Sequence, residues 1–131
     1  MSTVIVTGSA GLIGSEAVRH YHELGWDVVG IDNDMRRVFF GPEASTAWMG
    51  ERLVRELPRY RHLSIDIRDR AAIDRAVRDV AQDLELVIHT AAQPSHDWAV
   101  RDPMTDFTVN AQGTLVLLEA VRAHAQRAPE Q

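Results

Sequence analysis

The sequence predicts an α/β fold with a doubly wound parallel sheet, and three observations carry that prediction. Short apolar runs of strand length alternate with longer stretches at helical spacing along the chain. A glycine turn, Thr7-Gly8-Ser9-Ala10-Gly11-Leu12-Ile13-Gly14, stands between the first strand and the first helix. The next two strands each end on an acid, Asp32 and Asp66. Strand–helix–strand repeats in one sheet require right-handed crossovers, so the strands run parallel.

Strand one is Thr3 to Val6, an apolar run of the kind covered on both faces. Helix one follows from about Gly11 to Leu24, with Ile13, Ala17, Tyr21 and Leu24 on one stripe and Gly25 as its stop. Strand two, Asp27 to Ile31, runs into Asp32-Asn33-Asp34. Between Met35 and Pro58 the periodicity blurs. Gly41-Pro42 marks a turn there, and Glu43 to Leu57 is expected to be helical with Trp48, Leu53 and Leu57 inward. Strand three is Arg61 to Ile65, ending at Asp66-Ile67-Arg68-Asp69. Helix three, about Arg70 to Gln82, carries Ile73, Ala76, Val77 and Val80 behind an Asp69 cap. Strand four, Leu84 to His89, leads into Thr90-Ala91-Ala92-Gln93-Pro94. Helix four is expected from about Met104 to Ala125, and Ala128 to Gln131 reads as a loop. The sum is a partial Rossmann-type sheet of four strands in the order 3-2-1-4, with residues 1–131 as one domain. That order opens a crevice at the carboxyl ends of strands one and four.

Composition narrows the partners. The chain is 45% apolar and 25% charged, with a net charge of −5. Its 14 basic residues are scattered and outnumbered by 19 acidic ones, so no nucleic-acid partner is expected. No apolar run reaches the roughly 18 residues of a membrane span, and no leader precedes strand one. The expectation is therefore a cytoplasmic protein with no membrane partner. Without cysteine there is no disulfide, thiolate metal site or cysteine nucleophile. All 14 basic residues are arginine, which removes Schiff-base chemistry and any tyrosine–lysine couple from this chain.

The glycine turn suits a pyrophosphate. Gly8 permits the sharp turn, Gly11 lets the anion approach the main chain, and Gly14 lets helix and strand pack closely. The helix beyond offers free N–H groups and its dipole. Asp32 at the end of strand two is placed to bind an adenosine ribose and to repel a 2′-phosphate, which favours NAD over NADP. Otherwise it is an ordinary turn aspartate. Arg36 and Arg37 suit a surface role better than a 2′-phosphate. Asp66 either reaches an adenine edge or simply closes its strand. His89, between a buried strand and a tight loop, reads as a hydrogen-bonded structural residue. His20 and His22 lack a third ligand, so no metal is expected, and Ser95, His96 and Asp97 are not expected to form a triad, because adjacent residues rarely converge in space.

Helix four is apolar on two sides. Phe107, Ala111, Thr114, Leu118 and Val121 form the stripe suited to the sheet, while Val109, Gly113, Val116 and Ala120 lie roughly opposite. The second side calls for another subunit or for a further part of the same chain.

In combination, the glycine turn, Asp32-Asn33, Asp66-Ile67-Arg68-Asp69, His89-Thr90-Ala91-Ala92-Gln93 and the run from Asn110 to Ala120 resemble the extended short-chain dehydrogenase/reductase family. These are NAD(P)-dependent nucleotide-sugar epimerases and dehydratases. The 66–69 turn, Gln93 and Asp102-Pro103-Met104-Thr105-Asp106-Phe107 look most like the CDP-paratose (CDP-tyvelose) 2-epimerase branch. The resemblance implies that Gly8, Gly11 and Gly14, with the backbone N–H groups of Leu12 and Ile13, hold the pyrophosphate. Asp32 and Asn33 would take the adenosine ribose, and Asp66 with Ile67 the adenine. Thr90, Ala91, Ala92 and Gln93 would line the nicotinamide ribose, steadied by Asn110. Helix four, residues 104–125, would form half of a homodimer bundle.

Ser9, Leu12 and Thr90 replace commoner residues of the pattern without breaking the turn. A larger departure is chemical. Family members continue into a fifth strand, a tyrosine–lysine pair that serves hydride transfer, and a substrate domain; this chain has only Tyr21 and Tyr60 and no lysine. The expected function is the NAD-binding part of a nucleotide-sugar epimerase, with no catalytic residue of its own. A stand-alone NAD-binding sensor or accessory subunit, or one half of a split enzyme, are the alternatives.

Overall fold

Alternating burial builds the centre of the sheet. In the computed structural model, which describes residues 1–124, β1 (Thr3–Thr7) is wholly buried. Val4 and Val6 enter one core and Ile5 the other, as strand geometry requires. β1 pairs in parallel with β2 (Asp27–Ile31) on one side and β4 (Leu84–His89) on the other, and β3 (Tyr60–Leu63) adds to β2. The order β3-β2-β1-β4 is the expected one, a four-stranded parallel Rossmann-type sheet.

Helices cover both faces. Below, Val18 of α1 (Leu12–Glu23) and Leu53 of α3 (Ala47–Glu56) pack with Val4, Val6 and Val28. Above, Ile73, Ala76 and Val77 of α4 (Arg70–Val80) meet Ile5, Val29 and Ile31. Leu53 and Ile73 are fully buried, and truncating such a side chain to alanine costs about 2–5 kcal/mol. Asp69 caps α4 as expected, its carboxylate accepting from the Ala72 N–H at 3.1 Å.

Several boundaries differ from the sequence prediction. Strand three leaves the sheet two residues early, because Ile65 N–H turns back to the Leu63 carbonyl instead of pairing with β2. The expected 43–57 helix is shorter, α3 alone after a 3-10 turn (Pro42–Ala44), and a further short helix, α2 (Arg36–Phe40), precedes that turn. Trp48 is 58% exposed, since the face carrying Gly50, Leu53 and Leu57 takes the core and Trp48 lies on the far side. An unexpected short helix, α5 (His96–Arg101), follows Pro94, with Ser95 Oγ accepting from the Trp98 N–H at 3.3 Å.

Helix four is the main correction. It runs as α6 (Pro103–Phe107), a π-turn (Thr108–Gln112) and α7 (Gly113–His124); its expected end at Ala125 and the 128–131 loop lie outside the described residues. Of the stripe expected to face the sheet, Thr114 and Val121 turn inward, while Phe107, Ala111 and Leu118 do not. Val109, Gly113, Val116 and Ala120 are buried on the sheet side, whereas Phe107 and Leu118 are each 60% exposed. A π-turn holds one residue more than an α-turn, so it rotates the helix beyond it by roughly 100°. Gly113 then fixes the contact: a Cβ there would lie 2.8 Å from Ile67 Cγ2, so only this face can approach so closely.

Candidate functional site

The site is built outward from the glycine turn. Gly8 has φ of +69°, a conformation L side chains rarely adopt, and an added Cβ would stand 2.7 Å from Thr90 Oγ1 and 2.8 Å from Ala91 N. Gly14 packs against the same turn, where a Cβ would lie 2.0 Å from the Gly8 carbonyl oxygen. Gly11 differs. Its Cβ would meet only that oxygen, at 3.2 Å, so the protein itself scarcely needs a glycine there. α1 begins at Leu12 with no side-chain cap and no acid in its first turn. The N–H groups of Leu12, Ile13 and Gly14 therefore have no helical acceptor and face the opening with the positive end of the dipole.

An open crevice runs along the carboxyl ends of the strands, lined by Gly8, Gly11, Leu12, Ile13, Gly14, Asp32, Asn33, Ile67, Thr90, Ala91 and Ala92. Eleven of the fourteen residues singled out from the sequence thus share one cleft. Asp32 is already partly engaged: its two oxygens accept from Ala10 N–H at 3.0 Å and Asp34 N–H at 2.8 Å. Each retains lone pairs toward the crevice.

The other three stand behind the lining. Asp66 grips Arg68, with Nη2 2.7 Å and Nε 3.0 Å from the carboxylate, and that hydrogen-bonded guanidinium holds its carboxyl below the usual range. Gln93 is buried; its amide donates to the Ser95 carbonyl at 2.9 Å and to Asp106 at 2.8 Å. Asn110 accepts from the Gln93 N–H at 2.7 Å and donates to the Gln93 carbonyl at 3.0 Å, which ties the 90–93 loop to the π-turn.

Sequence reasoning missed the rim. Met35, Arg36, Phe39 and Thr46 also line the crevice, and Arg36 sits there with its guanidinium 4.8 Å from the Phe40 ring centre. Asp34, at φ +59°, buckles this segment down by accepting from Ser45 Oγ at 2.6 Å and Thr46 N–H at 2.8 Å. Phe39 is held in turn by Trp98, whose Nε1–H donates to the Phe39 carbonyl at 2.9 Å while the two rings meet edge to face. A stretch without periodicity gave no signal for these contacts beyond the Gly41-Pro42 turn.

The tyrosines do not offer acid–base chemistry. Tyr60 is buried, donates to Ser9 Oγ at 3.0 Å and lies 2.7 Å from His62 Nδ1; burial pushes its phenol up to about 12, and nearby Asp32 adds to the rise. Tyr21 packs against Trp26 on the lower face. No group of three potential metal-ligating side chains occurs among the described residues. No helix among them is long and apolar enough to cross a membrane.

Comparison with known proteins fits this geometry. Residues 4–128 match the family described as NAD dependent epimerase/dehydratase. The chain belongs to that family. Among characterised relatives, dTDP-glucose 4,6-dehydratase of Neisseria meningitidis serogroup B is 34% identical over 131 residues, covering 100% of this chain and 34% of the relative. UDP-glucose 4-epimerase of Mus musculus is 34% identical over 126 residues, covering 95% and 35%. The crystal structure of a Stenotrophomonas UDP-glucose-4-epimerase with bound NAD and formylated UDP-arabinopyranose superposes with a TM-score of 0.75 at 30% identity, covering 96% of this chain and 34% of that one. The chain thus spans about a third of the length of the family members it matches.

Proposed function

We propose that this chain is the NAD-binding part of a nucleotide-sugar epimerase or dehydratase. The observation that carries the reading is the convergence of the glycine turn, Asp32 and the Thr90–Ala92 loop on one crevice. The open N–H groups of Leu12 and Ile13 suit a pyrophosphate, and Gly11, where an added Cβ would meet only the Gly8 carbonyl oxygen, suits its close approach. Asp32 and Asn33 would hold the adenosine ribose, Ile67 the adenine with Asp66 behind it, and Thr90 to Ala92 the nicotinamide ribose. Gln93 and Asn110 would brace that loop from the rear. When bound, NAD supplies a hydride acceptor for a sugar hydroxyl. This chain's residues bind and orient it; the proton transfers would fall to groups outside these residues.

Two finer readings accompany the proposal. The 66–69 turn, Gln93 and the 102–107 segment support the CDP-paratose (CDP-tyvelose) 2-epimerase branch, so CDP-sugars are expected to outcompete UDP- and dTDP-sugars on the whole protein. The exposed stripe of Met104, Phe107, Leu115 and Leu118 supports a homodimer through the α6–α7 helix.

Calorimetric titration with NAD and NADP tests the core of the reading. NAD is expected to bind at least tenfold tighter than NADP, and Asp32→Ala to erase the preference. Equal affinity of the unmodified protein for both cofactors would contradict the ribose assignment.

A further inference from the structure

His89 ends β4 with both ring nitrogens engaged, and counting donors and acceptors around it fixes its protonation state. Thr7 Oγ1 accepts two backbone donors, Thr90 N–H at 3.1 Å and Ala91 N–H at 3.2 Å. A hydroxyl has two lone pairs and one proton. Both lone pairs are therefore used, and the Thr7 proton must go to its third neighbour, His89 Nδ1, at 2.6 Å. Nδ1 is thus bare. Nε2 carries the proton and donates to Thr114 Oγ1 at 3.0 Å, and Thr114 passes its own proton to the Asn110 carbonyl at 2.6 Å. The order Thr7, His89, Thr114, Asn110 runs in one direction only.

We propose that His89 is a positioning residue of the cofactor crevice, locking the glycine turn, the 90–93 loop and the π-turn into one hydrogen-bonded frame as the neutral Nε2–H imidazole. The inference rests on the crevice being an NAD site. Thr7 precedes Gly8, Thr90 and Ala91 line the crevice, and Asn110 holds Gln93. Thr90 adds a second tie, its hydroxyl donating to the Thr7 carbonyl at 2.6 Å. A second proton on the ring reverses the first link: Nδ1–H would point at an oxygen whose lone pairs are both taken. The ring's partners are Thr7 from β1 and Thr114 from the helix, themselves bonded to Thr90, Ala91 and Asn110, and all are uncharged. Asp106, bonded to Asn110 and Gln93, is the nearest carboxylate along the network. Burial alone lowers the His89 basicity, which favours the state the relay needs.

The test begins without cofactor. In protein labelled with ¹⁵N-histidine, His89 Nδ1 should give the shift of a bare acceptor nitrogen and Nε2 that of a protonated one, persisting below pH 6.5. An Nδ1–H tautomer, or an imidazolium at pH 7, overturns the proposal. NAD titrations between pH 5 and 7.5 then read the positioning role. Affinity should fall toward the acid end in the unmodified protein. In His89→Phe it should be about tenfold weaker at pH 7.5 and flat with pH. Thr114→Val, which keeps the ring and removes its acceptor, should weaken binding in the same direction and covers the case in which His89→Phe fails to fold. NAD affinity unchanged in both variants, or an acid fall that survives His89→Phe, overturns the proposal. If the unmodified protein binds no NAD, the cofactor reading and the positioning role fall together, while the tautomer still reports whether the relay exists.

Discussion

At the scale of single residues, the glycines of the turn separate what the fold needs from what a ligand needs. Gly14→Ala places a methyl 2.0 Å from the Gly8 carbonyl, and such overpacking is expected to cost about 1–3 kcal/mol or more in thermal or denaturant unfolding. Gly11→Val should leave the unfolding midpoint nearly unchanged yet weaken NAD binding at least tenfold, because the methyls fill space the protein leaves open. Equal destabilisation by both changes would mean that Gly11 is structural. Asp66 gives a pH signature. Its carboxyl is lowered by Arg68, so its contribution to stability is complete above its ordinary pKa and disappears as pH falls through the lower folded value. The melting temperature should therefore decline below about pH 4, and less steeply in Asp66→Asn. The turn glycines and Asp32 were legible in the sequence because local sterics and strand ends define them. The burial of Gln93 was not, since it depends on Asp106 and Ser95 beyond the loop.

At the scale of elements, strands were read well and the connections poorly. Continuous burial of β1 follows directly from its two covered faces, with Ile5 in one core and Val4 and Val6 in the other, so pattern and structure coincide. The α6–α7 helix defeats the same logic, because both of its sides are apolar and periodicity alone does not choose between them. Gly113 is the signal that identifies the inner face, through its contact with Ile67. Gly113→Val is expected to destabilise the protein by about 1–3 kcal/mol in equilibrium unfolding, while Ala111→Val on the exposed side should be nearly neutral. The α2–α3 segment was unreadable because its anchors, Asp34 and Trp98, are tertiary. Trp98→Phe removes the bond to the carbonyl of Phe39, which lines the crevice. At about 1 kcal/mol for such a bond, NADH should dissociate roughly fivefold faster in stopped-flow fluorescence; an unchanged rate would mean the bridge does not retain the ligand.

For the whole molecule, the sheet order sets the crevice and the exposed helix carries the proposed dimer. Phe107, Leu115 and Leu118 are 60%, 58% and 60% exposed along the α6–α7 helix, apolar surface of the kind that marks contact with a partner or with a further part of the chain. Sedimentation should show a dimer that Phe107→Glu with Leu118→Glu converts to monomers without loss of helical signal. The central claim is that this chain itself forms an NAD site, and a crystal structure determined with NAD present addresses it most directly. The account predicts pyrophosphate oxygens on the N–H groups of Leu12 and Ile13 and the adenosine ribose hydroxyls on Asp32. An adenosine ribose away from Asp32, or an empty crevice at saturating NAD, would contradict it.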